Sequence, residues 1–251
     1  MTVILAAIDN STACEPVVAT ALALAPTVGA SVEAVQIADE PGVTALATAE
    51  HHHIPFRVVA GDPDARIAEQ VNDGEVAAVV VGTRGRPTGP RPAGHTALAL
   101  ADRVDKPVVM VPPDARTPEH VERVLVAMDG SPGRAAALRQ AIHLAGDAHV
   151  ELIVVHVDSE DSIPSFSDQV AHETAAYARE FLYRYCGEVP ARLETRVGVP
   201  AEEILAAARD MEPDLVAIGW PRSREPGHGH VVRQVLGASP VPVLLVALAD
   251  Q

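Results

Sequence analysis

Two stretches carry residue types whose spacing suggests chemistry. The first is GTRGRPTGPRPAGHT, residues 82–96, between the apolar run AAVVVG (77–82) and the amphipathic run TALALADR (96–103). Gly82 and Gly85 permit a close backbone approach, and Gly94, followed by His95 and Thr96, stands where a helix begins. Backbone N–H groups of such a loop, together with a helix N-terminus, form a cradle for an anion, a phosphate above all. Arg84, Arg86 and Arg91 place positive charge beside it. The second stretch is Asp9-Asn10-Ser11, at the end of the apolar run VILAAI, with its counterpart Asp129-Gly130-Ser131. A carboxylate there has two roles open to it, accepting a hydrogen bond from a ribose or base, or capping the next helix.

These groups need a scaffold, and the chain supplies one twice. VILAAIDNS (3–11) recurs as RVLVAMDGS (123–131), and VEAVQIAD (32–39) as VELIVVHVD (150–158). VVAGDPDARIAE (58–69) recurs as TRVGVPAEEILA (195–206), and AAVVVG (77–82) as DLVAIG (214–219). GHTALALADRVDKPVVMV (94–111) recurs as GHVVRQVLGASPVPVLLV (229–246). Five landmarks in one order mean two copies of one unit. The expected division is 1–113 for the first domain, a polar, proline-bearing linker at 114–122, and 123–251 for the second. The short runs of Val, Ile and Leu lack polar alternation, which is the pattern of parallel strands buried on both faces. Amphipathic segments between them, such as 131–148 with its Ser-Pro opening, read as helices. The fold class expected is α/β, with two tandem five-stranded parallel sheets flanked by helices. The copies differ after their second strand. The second has a long helix near 167–187, and the first has only the shorter stretch 41–53.

Bulk properties narrow the function classes. The chain has 251 residues, 48% of them hydrophobic, and a formal charge of −15. That charge disfavours nucleic acid and anionic membranes as partners. No run approaches the length of a membrane span. The opening MTVILAAIDNS reads as a strand rather than a secretory leader. Cys14 and Cys186 have neither metal-ligand nor disulfide spacing. A cytoplasmic location follows as the expectation. The run His51-His52-His53 cannot share one helix face, so no metal site is expected there. His95 and His230 follow matched glycines at helix starts and read as cap residues or anion donors. Tyr177, Phe181 and Tyr185, spaced by four, read as a core stripe or a partner surface. No nucleophile elbow, zinc motif or paired-carboxylate arrangement is legible, so no catalytic residue is assigned.

The Asp-x-Ser strand end, the Gly-x-Pro turns (Gly61-Asp62-Pro63 and Gly198-Val199-Pro200), the G-x-x-G loop and the closing KPVVMVP and VPVLLV strands resemble the universal stress protein family. The resemblance covers both halves. It implies Rossmann-like domains of the adenine nucleotide alpha hydrolase type, paired through their last strands, 107–111 and 241–246; because a two-domain chain meets that pairing by itself, a monomer and a homodimer both stay open. It implies a non-catalytic stress-response module and ATP as the ligand. The binding residues it implies are Asp9, Gly82, Arg84, Gly85, Gly94, His95 and Thr96 in the first copy, and Asp129, Gly219 and Gly229 in the second.

The family loop reads Gly, two residues, Gly, nine residues, Gly, then Ser or Thr, and this chain departs from it. Eight residues separate Gly85 from Gly94, and His95 takes the hydroxyl position. Pro87, Pro90 and Pro92 each remove an N–H donor. In the second copy Arg222 replaces the second glycine, Gly219 and Gly229 stand ten positions apart, and His230 follows. The first copy is therefore the stronger candidate. Two other classes stay open: a nucleotide- or flavin-dependent enzyme subunit on a related sheet, and a protein-interaction scaffold with no small ligand.

Overall fold

A computed structural model describes residues 2–73, 75–83, 95–129, 150–158, 175–187, 189–220 and 229–247. In the first half the order is β1 (Val3–Ala7), α1 (Cys14–Val28), β2 (Ser31–Ile37), α2 (Val43–His51), β3 (Phe56–Val59), α3 (Pro63–Asp73), β4 (Val76–Gly82), α4 (His95–Arg103) and β5 (Val108–Val111). The second half gives β6 (Arg123–Ala127), β7 (Glu151–Asp158), α5 (Ala175–Cys186), β8 (Ala191–Val197), α6 (Pro200–Asp210), β9 (Leu215–Trp220), α7 (His230–Ala238) and β10 (Val243–Ala247). The expected helix at 131–148 lies outside the described residues, and α5 is the described part of the expected long helix.

All ten strands form one sheet in the order β3-β2-β1-β4-β5-β10-β9-β6-β7-β8. Within each half every pair is parallel, and the halves meet through one antiparallel pair, β5 with β10. That junction is short: Val243, Leu244 and Leu245 face Met110, Val109 and Val108.

Alternate side chains of each central strand enter two separate cores. Ile4, Ala6 and Ile8 pack with Cys14, Val17 and Ala21 of α1 and with Ala45 and Ala49 of α2, while Phe181 and Tyr185 of α5 fill the same layer in the second half. Leu5 and Ala7 point the other way, toward Ile67 and Val71 of α3 and Leu100 of α4, and Leu125 and Ala127 repeat this against α6 and α7. Burial on both faces is why these strands read as unbroken apolar runs. The Gly-x-Pro turns have a backbone cause. Gly61 and Gly198 adopt φ of 132° and 149°, and the proline two residues on opens α3 and α6 with its missing N–H where no helical partner exists.

Phe181 and Tyr185 meet with ring centroids 4.6 Å apart, tilted by 59°, and are buried, which settles that stripe as core for these two residues. Tyr183, on the opposite face of α5, is exposed. The side chain of Tyr177 lies outside the described residues.

Candidate functional site

The strand order reverses between β1 and β4, because β2 lies on one side of β1 and β4 on the other. The helix after β1 covers one face of the sheet and the helix after β4 covers the other. Such a reversal is the switch point at which open α/β sheets take ligands, beyond the carboxyl ends of their strands. Ala7 pairs with Val81 and Gly82 with Val111, so Asp9, Gly82 and Thr83 stand on one edge. His95 opens α4 and Thr96 is its second residue. The structure thus brings Asp9, Gly82 and the start of α4 to one edge of the first half. Arg84, Gly85 and Gly94 lie outside the described residues, as do Arg86, Arg91 and Arg222.

Asp9 is exposed, and its Oδ1 accepts from the Ser11 N–H at 2.9 Å and the Ser11 hydroxyl at 2.5 Å. Ser11 Oγ in turn accepts from the Ala13 N–H at 3.2 Å. The N-cap of α1 is Ala13, with no side-chain cap bond. The capping expectation for Asp9 is thereby corrected. The helix starts too late for Asp9 to reach its free N–H groups, so the carboxylate orders the turn before the helix instead. The Cys14 thiol donates to the Asp9 carbonyl at 2.6 Å. Burial, followed by the Asp9 charge, pushes that thiol up to about 11.

Thr83 is buried, with its N–H on the Val111 carbonyl at 3.0 Å, so the last glycine of β4 leads into a small residue fastened to β5.

Sequence reasoning missed several groups at this edge. Asn10 Oδ1 accepts the Thr44 N–H at 2.8 Å, and Gln36 Oε1 accepts the Gly42 N–H at 2.8 Å. His52 Nε2 lies 2.7 Å from Glu15 Oε1, which ties the end of α2 to the first turn of α1. These contacts join residues more than thirty positions apart, except Gln36–Gly42, and no local pattern announces them.

The second half repeats the arrangement on the opposite edge. The antiparallel junction points its strand ends the other way. Asp129 is exposed two residues beyond β6, whose Ala127 pairs with Ile218 just before Gly219 of β9, and Gly229 is the N-cap of α7 with φ of 72°. His156, at the repeat position of Gln36, has Nδ1 2.9 Å from the Met128 carbonyl and Nε2 3.4 Å from Asp158 Oδ1. The first contact requires a proton on Nδ1. Asp158 Oδ2 is buried with no hydrogen-bond partner among the described residues. No group of three or more His, Cys, Asp or Glu side chains able to hold a metal occurs among the described residues.

A doubly wound α/β chain built twice, with a glycine at or next to the strand end and a helix start at each switch point, is the class that fold and edges define. A statistical model of the universal stress protein family matches residues 43–112 and 120–247, and the chain belongs to that family. It is similar to universal stress protein YxiE of Bacillus subtilis, at 30% identity over 144 residues, which is 49% of this chain and 97% of that protein. Among solved structures, a universal stress protein from Archaeoglobus fulgidus superposes with a TM-score of 0.69 at 18% identity, covering 98% of both chains. One from Pseudomonas aeruginosa gives 0.71 at 17% identity, covering 98% of this chain and 92% of that one. These likenesses extend the family fold across both halves.

Proposed function

We propose that this protein is a non-catalytic, cytoplasmic module of the stress response that binds ATP at the switch point between β1 and β4 of its first half. The observation that supports this best is the convergence on one edge of an exposed carboxylate, Asp9, the glycine end of β4 and the start of α4. Asp9 is suited to a ribose hydroxyl, since an ionised carboxylate only accepts hydrogen bonds. The N-terminus of α4 is suited to the phosphates. Family membership supports the same reading. No helix among the described residues is long and apolar enough to cross a membrane. The motifs legible in the sequence hold a ligand and do not transform one.

Thermal unfolding of nucleotide-stripped protein with ATP and magnesium tests this. At hundredfold excess over Kd the native state gains about 2.7 kcal/mol, which for a chain of this size raises Tm by roughly 5–10 °C. Asp9→Asn keeps an acceptor for Ser11 and loses the charge. It is expected to fold like the wild type and to show a smaller shift. No shift at millimolar ATP would overturn the nucleotide reading in favour of a scaffold.

A further inference from the structure

Trp220 is the sole tryptophan, and it follows the last glycine of β9 where the first half has Thr83. Its indole is 3% exposed. Its Nε1–H donates to Asp102 Oδ1 at 2.9 Å, and Asp102 belongs to α4 of the other half, 118 positions away. The ring also closes against the start of α7. A Cβ on Gly229 would lie 3.0 Å from Trp220 Cζ3, and the Arg233 guanidinium sits 5.8 Å from the ring centroid.

The contact follows from the topology. The antiparallel junction puts the carboxyl end of β9 beside the amino end of β5, where α4 finishes. At the other end of the junction a second brace stands. The Arg116 N–H donates to the Pro240 carbonyl at 2.7 Å, and its guanidinium donates to the carbonyls of Glu212 and Pro213. Three residue pairs of antiparallel strand are thus flanked by a brace on either side.

The two edges are not equivalent. The repeat places Thr83 opposite Trp220 and Gly237 opposite Asp102. In the second half an indole fills the space at the start of α7, and a carboxylate approaches from the other half. An anionic ligand meets a filled space there, which is discrimination by an unfavourable contact.

We infer that the end of β9 is a docking site for the first half, anchored by Trp220 on Asp102, and that this contact takes the place of a nucleotide in the second half. The docking claim stands on geometry alone, and the second clause rests on the nucleotide reading given above.

The test uses the full chain. Acrylamide quenching of Trp220 fluorescence is expected to be weak in the wild type. It should stay weak in Asp102→Asn, which keeps an acceptor, and rise about twofold or more in Asp102→Ala as the dock opens. Equal quenching in Asp102→Ala and the wild type would overturn the dock. Photolabelling with an azido-ATP and mapping the labelled peptides decides the second clause. Label confined to first-half peptides supports it, and label on peptides within 214–247 overturns it. Absence of label in both halves overturns the nucleotide reading itself, while the quenching result still decides the dock.

Discussion

Asp9 serves its neighbours through both ends. Its carboxylate holds Ser11 and its carbonyl accepts a hydrogen bond from the Cys14 thiol. Cys14 is 1% exposed, and Cys186 is fully buried. Burial raises both thiols to about 11 from an ordinary value of 9.0, with the Asp9 charge adding to the shift at Cys14. The thiolate is the reactive form, so neither cysteine is expected to react with Ellman's reagent in the native state near neutral pH, and both should react in denaturant. The linkage has a definite sign. The folded chain holds these protons more tightly than the unfolded chain, so the contribution to stability is whole below about pH 9 and is lost as pH rises through 11. Urea unfolding at about pH 8 and about pH 10.5 should show the decline, and Cys14→Ala with Cys186→Ala should flatten it. Equal pH slopes in the two proteins would refute the assignment. The thiol–carbonyl contact was not legible in the sequence. Cys14 reads there as an isolated cysteine, and its partner is a backbone atom.

At the scale of elements, α2 shows how the shortened first copy is held together. The Gly42 N–H meets Gln36, the Thr44 N–H meets Asn10, and His52 meets Glu15. Gly42 has an ordinary φ of −74°, so its lack of a side chain is a matter of space and not of backbone strain. A Cβ there would stand 2.6–2.7 Å from the Asn10 side chain, including Asn10 Cβ, which cannot swing away. Gly42→Ala is expected to destabilise the chain by about 1–3 kcal/mol through overpacking. Asn10→Ala should recover part of that loss, giving a non-additive cycle in chemical denaturation. Additive effects would mean that the two sites do not touch.

The strands were far more legible than this clamp. Runs such as VAAVVVG are buried on both faces and need no partner to be recognised. The α2 clamp rests on contacts across the fold, and the sequence announces only its length. The histidine run gave no sign in the sequence of its contact, His52 on Glu15, which needed the packing of α2 on α1.

At the scale of the molecule, the repeat announced two α/β units, and the resemblance singled out the last strands of each, which the structure places side by side. The asymmetry of the two edges stayed hidden, because Trp220 and Asp102 belong to different copies. The one available signal was an aromatic residue standing where the other copy has a threonine.

The junction has a consequence for assembly. Pairing β5 with β10 inside one chain consumes the edge through which single-domain units would meet, leaving β3 and β8 as the outer strands. The strand β3 spans four residues, and β8 carries Arg192, Glu194 and Arg196. Arg196 is also engaged, with Glu194, Glu203 and Asp210 around its guanidinium. Short edges and charged edges resist strand addition. The chain is therefore expected to elute as a monomer at micromolar concentration in light scattering. A stable dimer would show that an outer strand pairs after all. Arg192→Glu should then weaken the dimer if β8 is the strand used, and leave it intact if β3 is.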